Sequence, residues 1–171
     1  MNARSLWSQI LIVVGGIAML IGAIDPLEGS LLILPGSGLV ALGAWLGDGE
    51  RRLVAFRGAV FALIAIGVAA LFGLSTAGGV GGEEGVSPWW ALAILPYPVG
   101  WSVGIWGPGS PRWMLWLGIV VGTWYLGLLA MALRAGRFVE ANIAIAVVGV
   151  FTIGGCIYSL WRAGRSTAVA S

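Results

Sequence analysis

From Trp7 to Ile24 the chain runs eighteen residues without one charged side chain, and the pattern recurs along the sequence. Leu53 to Leu74 carries only Arg57, Trp113 to Leu133 carries no charge, and Val139 to Trp161 carries only Glu140 near its start. A helix rises about 1.5 Å per residue, so roughly 20 apolar residues cross a hydrocarbon core of about 30 Å. These four stretches are long enough to be membrane spans. A fifth, Pro26 to Leu46, is apolar apart from Glu28. Only 9% of the 171 residues are charged and the mean hydropathy is +0.99, whereas a water-facing domain needs about 25% charged residues. The first stretch has a single early arginine and no small-residue cleavage pair before Asp25, so it reads as a retained span.

The side-chain inventory narrows the chemistry further. There is no His and no Lys, all nine basic residues are Arg, and Cys156 is the only cysteine. Disulfide frameworks, zinc sites and iron–sulfur clusters need several of these groups. Triads built on His and nucleophiles activated by Lys need the others. Only carboxylates, hydroxyls, arginines and backbone dipoles remain, so neither an enzymatic activity nor a resident cofactor or metal is expected. The net charge of +2 does not point to nucleic acid, because the arginines are scattered between apolar runs and form no basic face.

Asp25-Pro26-Leu27-Glu28 has the form of an acidic capping box. Asp25 suits the N-cap, Pro26 the first helical position and Glu28 the third, which predicts a second helix starting at Pro26. The same two carboxylates, Asp25 and Glu28, are the candidate ion or proton site, since ionisable groups at membrane depth are often functional. Within that helix, Pro35 removes a backbone donor and Gly36-Ser37-Gly38 loosens the next turn, which predicts a kink or break. Broken helices form substrate sites in transporters, usually within an inverted repeat. No second matching break is evident here.

The region between Leu74 and Trp113 divides in two. Residues 75–87 are glycine-rich and read as a flexible loop. Residues 88–106 are apolar but contain Pro88, Pro96, Pro98, Gly100 and Gly104, so a straight span is not expected. Six of the ten tryptophans fall here and just beyond, at Trp89, Trp90, Trp101, Trp106, Trp113 and Trp116. Tryptophan favours the membrane interface, and these six are the candidate contacts with lipid or a partner subunit. The segment reads as re-entrant or interfacial, or else as a sixth, broken span.

Arginine placement sets the orientation. With the N-terminus cytoplasmic, five spans leave six arginines inside and three outside, and six spans leave seven inside and two outside. Small residues also repeat at helical spacing, as Gly58-Ala62, Ala65-Ala69-Gly73 and Gly118-Gly122, and such faces favour close helix packing.

The stretch Gly22-Ala-Ile-Asp-Pro-Leu-Glu-Gly-Ser30, followed by Pro35-Gly-Ser-Gly38, resembles a segment of small bacterial polytopic membrane proteins of uncharacterised function. That resemblance implies a bacterial cytoplasmic membrane and brings no activity with it. The expected fold is an all-α integral membrane bundle of five, alternatively six, helices in a single domain. The expected function is a non-catalytic structural or accessory subunit that binds lipid, other membrane subunits or itself. The alternative is a small oligomeric transporter or channel using the break at Pro35–Gly38 with Asp25 and Glu28.

Overall fold

The computed structural model describes residues 3–23, 28–47, 50–79, 86–136 and 141–168. The elements are α1 (Ala3–Gly22), α2 (Ser30–Leu46), α3 (Arg51–Thr76), a 3₁₀ helix (Pro88–Ile94), α4 (Pro96–Trp106), α5 (Arg112–Arg134) and α6 (Ala141–Ala168). Among the described residues there is no strand. Four stretches are long and apolar enough to cross a membrane: Ala3–Gly22, Arg51–Thr76, Arg112–Arg134 and Ile145–Arg165 within α6. This is the organisation of a helical membrane protein.

Helix ends follow the turn chemistry of the sequence. Backbone carbonyls cap α3, with Leu53 N–H and Val54 N–H donating to Glu50 O at 2.8 and 3.1 Å. At its other end, Gly78 and Gly79 adopt φ of 91° and 82°, and Gly79 N–H donates back to Leu74 O at 2.9 Å. A left-handed glycine is the usual way to end a helix and satisfy its last carbonyls. Gly136, at φ 66°, does the same after α5. Leu95 separates the 3₁₀ helix from α4, so residues 88–106 form a broken apolar element, as the prolines predict.

The start of α2 differs from expectation. The helix begins at Ser30, with Gly29 as N-cap and no side-chain bond to the cap. Leu32 N–H and Ile33 N–H both donate to Gly29 O, at 2.9 and 2.8 Å, and Leu31 N–H donates to Glu28 O at 3.2 Å. These are the first bonds of a helix that starts four residues later than the capping pattern places it. Asp25 and Pro26 lie outside the described residues. At 17 residues, α2 is shorter than the four long spans.

The chain divides into two compact units, Met1–Trp101 and Ser102–Ser171, with the division inside α4. In the first unit, α1 packs on α2 and α2 on α3. Its core holds Met19, Ile33, Val40, Val60, Ile64, Val68 and Tyr97. In the second unit α5 packs on α6, around Trp106, Leu115, Thr152 and Cys156.

Candidate functional site

The Pro35–Gly38 string is the first candidate, and its role follows from what faces it. α2 is one continuous helix from Ser30 to Leu46 with Pro35 inside it, so the expected break does not interrupt the helix. Pro35 lacks the N–H that would bond Leu31 O and lies on the exposed side of the helix. Gly36 and Ser37 are buried. Ser37 Oγ donates to Leu34 O at 2.8 Å, within its own helix.

Gly36 is buried because α1 crosses there. A Cβ added to Gly36 would lie 2.8 Å from Gly15 O, and one added to Gly15 would overlap Gly36 O. One turn pair away, a Cβ on Gly22 would lie 2.6 Å from Gly29 O. At the opposite end, a Cβ on Gly43 would lie 2.9 Å from Ser8 O, and Ser8 Oγ donates to Gly43 O at 2.7 Å. The pairs Ser8/Gly43, Gly15/Gly36 and Gly22/Gly29 thus step seven residues along each helix in opposite directions. The two helices are antiparallel, and a seven-residue repeat holds one seam face to face along their length. Small residues at every seventh position bring the backbones together, so dispersion contacts and a buried hydrogen bond replace the side-chain interdigitation of a larger seam. Gly36 is accounted for by this packing, and the hydroxyl of Ser37 is satisfied within its own helix.

The carboxylates are not brought into a site among the described residues. Asp25 lies outside them. Glu28 sits in the exposed turn before α2 and is engaged in an interaction of its own. Glu140 is outside the described residues, as are Glu83 and Glu84.

The six candidate tryptophans separate into two groups. Trp89, Trp90, Trp113 and Trp116 are exposed, Trp89 by 79%. Trp106 is only 5% exposed, and the Nε1 atoms of both Trp101 and Trp106 are buried without a hydrogen-bond partner. Across the whole chain eight of the ten tryptophans are exposed, the others being Trp7, Trp45, Trp124 and Trp161. Alongside Trp124 runs a shallow groove lined by Ile119, Val120, Thr123, Gly127 and Met131. Thr123 Oγ1 donates to Ile119 O at 2.7 Å, which leaves the groove apolar.

In the second unit, α5 packs on α6 at Gly118 and Gly122, mainly against side chains. A Cβ on Gly118 would lie 2.5 Å from Cys156 Sγ and 2.7 Å from Trp106 Cε3, and one on Gly122 would lie 3.1 Å from Gly149 O. Thr152, Cys156 and Ser159 lie along one stripe of α6, and the hydroxyls of Thr152 and Ser159 are buried without partners. A hydroxyl in a helix can turn to the carbonyl four residues back. The Trp106 indole, a donor only, has no such option.

Sequence reasoning by four-residue spacing finds Gly118-Gly122 and misses the longer seam. Gly58 and Gly73, read as packing positions, have nothing within 4 Å of an added Cβ. The signal for the α1–α2 seam was a glycine or serine every seven residues, at 8, 15 and 22 and again at 29, 36 and 43.

No family model matches the chain, and neither a curated protein nor a solved structure does.

Proposed function

We propose that this chain is a non-catalytic, multi-pass membrane protein that serves as a structural or accessory subunit, binding lipid or a larger membrane assembly. The observation that carries this reading is the set of outward-facing tryptophans in each of the two units. Trp89 and Trp90 on the 3₁₀ helix and Trp113 and Trp116 at the start of α5 are exposed, together with Trp7, Trp45, Trp124 and Trp161. Indole rings hold large contact areas at little entropic cost and favour both membrane interfaces and subunit contacts. In support, the glycines of the string that a transporter would use as a helix break face neighbouring helices, Gly36 against Gly15 of α1 and Gly38 against Phe61 of α3.

In this reading the chain crosses the membrane six times, with the 3₁₀ helix and α4 as the fourth, broken crossing. Tyr97 meets α3 at Gly67 and Gly100 meets it at Ile64, so the element descends antiparallel to α3. Ile64 lies twelve residues from the C-terminal end of α3, a depth of about 18 Å. α4 then continues to Trp106, about another 9 Å of helical rise. Six crossings also suit the arginines, placing Arg4, Arg51, Arg52, Arg57, Arg112, Arg162 and Arg165 on the cytoplasmic side with the N-terminus. The membrane would be a bacterial cytoplasmic membrane, as the Asp-Pro-Leu-Glu-Gly-Ser resemblance implies.

Photo-crosslinking in native membranes tests the aromatic surface. With a photoreactive phenylalanine analogue at Trp89 or Trp113, an adduct of discrete added mass, lipid or protein, is expected. The same analogue at buried Trp106 should give none. Absence of an adduct at both exposed positions would overturn the reading.

A further inference from the structure

In the second unit, α5 has two opposite faces. Leu115, Gly118 and Gly122 are buried, and the two glycines meet α6. Leu117, Val120, Trp124, Gly127 and Met131 lie on the other side, alternately three and four residues apart. At about 100° per residue these five share an arc of roughly 80°, centred opposite the buried stripe. Val120, Trp124 and Met131 are 65%, 68% and 69% exposed. Gly127 is open, since an added Cβ would meet nothing within 4 Å, and its bare backbone lines the shallow groove beside Thr123 and Trp124. Trp124 stands twelve residues from Arg112 and ten from Arg134, so in a crossing helix it lies near mid-membrane, about 15–18 Å from either end.

We propose that this face of α5 packs against the same face of a second copy of the chain, in a parallel pair. The inference rests on the membrane-subunit reading above and names the partner. Three features select a second copy. Tryptophan favours the headgroup level and its indole N–H is a donor only, whereas hydrocarbon at the depth of Trp124 offers no acceptor. Thr123, next to it on the groove, supplies one: its hydroxyl proton goes to Ile119 O at 2.7 Å, which leaves the oxygen free to accept. A donor and an acceptor on adjacent residues of one exposed face are self-complementary, and a twofold axis along the membrane normal sets each Trp124 N–H toward the partner's Thr123. Alternating three- and four-residue spacing is the pattern that keeps one helix face against another along its length, and Gly127 lets the second backbone come close. The area is also sufficient. With Leu117 at 47% and Leu128 at 41%, the side chains of this face expose about 600 Å² per copy, so a pair covers up to roughly 1,200 Å², where stable specific interfaces begin. Leu115, Gly118 and Gly122 face the other way, so the pairing leaves the α5–α6 packing intact.

Disulfide scanning of the full chain in native membranes tests the pair, in a Cys156→Ala background with two differently tagged copies co-expressed. Single cysteines placed in turn from Leu117 to Met131 are expected to cross-link the two tagged copies most at Leu117, Val120, Trp124 and Gly127, and least at Gly118 and Gly122. Gly16→Cys, at an equally open glycine of α1, should give no such product. In mild detergent, Gly127→Leu should weaken the dimer by about tenfold or more by holding the helices apart. Thr123→Val, which removes the acceptor, should weaken it by about threefold. If Gly127→Leu does not fold, the cysteine scan alone decides. Absence of a cross-link between tagged copies, a cross-link without that periodicity, or equal product at Gly16→Cys overturns the proposal. So does an unchanged dimer in folded Gly127→Leu, or an adduct of lipid or foreign-protein mass at a photoreactive analogue placed at Trp124. If the chain stays monomeric while the analogue at Trp89 keeps its adduct, this inference falls and the accessory-subunit reading stands.

Discussion

Gly15 and Gly16 are sequence neighbours in α1 that face opposite surroundings, which makes them a matched pair for the α1–α2 seam. A Cβ on Gly15 would overlap Gly36 O and lie 2.9 Å from Val40 Cγ2 and 3.0 Å from Leu39 Cβ. Gly16 has nothing within 4 Å of the same atom. In Gly15→Ala the nearest obstacle is backbone, which cannot rotate away, so the helices must separate. Overpacking of this kind costs about 1–3 kcal/mol. Replacing a mid-helix glycine by alanine returns about 0.5–1 kcal/mol in both variants. The expected net effect is a loss of up to about 2.5 kcal/mol for Gly15→Ala and a gain of about 0.5–1 kcal/mol for Gly16→Ala. Unfolding in mixed micelles with increasing SDS, followed by tryptophan fluorescence, measures both. Equal midpoints for the two variants would refute the seam, because only the seam distinguishes them.

Three further outcomes follow from the same geometry. Ser8→Ala removes the bond to Gly43 O and should cost about 0.6 kcal/mol in the same titration, the average for an interhelical hydrogen bond in a membrane. Gly118→Ala should destabilise the second unit by driving a methyl into Cys156 and Trp106. Combining it with Cys156→Ala should recover part of the loss, giving a non-additive double-mutant cycle. In a Cys156→Ala background, single cysteines at Arg112 and Arg134 should react with a membrane-impermeant thiol reagent from opposite sides, cytoplasmic for Arg112. Labelling of Arg112→Cys from the outer side would favour five crossings.

The four long helices were legible because runs of about 20 apolar residues have few other uses. Positions inside the bundle were less so. The sequence pattern at Asp25–Glu28 is a local capping signal that places the helix start at Pro26, whereas α2 begins at Ser30 with Gly29 as its cap, and Asp25 and Pro26 lie outside the described residues. Pro35-Gly36-Ser37-Gly38 is similar: each residue alone loosens a helix, yet Gly36 is required where α1 crosses and the helix continues through it. Four-residue spacing is shared by Gly118-Gly122, which packs, and Gly58-Ala62, which does not, so spacing alone does not say which face meets a neighbour. Composition raised the aromatic surface as a candidate but not its division, with Trp106 turned inward and Trp113 and Trp116 outward.

The central claim is that this chain works by what it binds in the membrane rather than by chemistry of its own. Its native mass, measured on the full chain extracted from its own membrane in mild detergent, is the most direct test. The account predicts a stoichiometric complex with another membrane protein, or retained lipid of fixed number and class. A monomer that keeps neither under any mild extraction condition would contradict it.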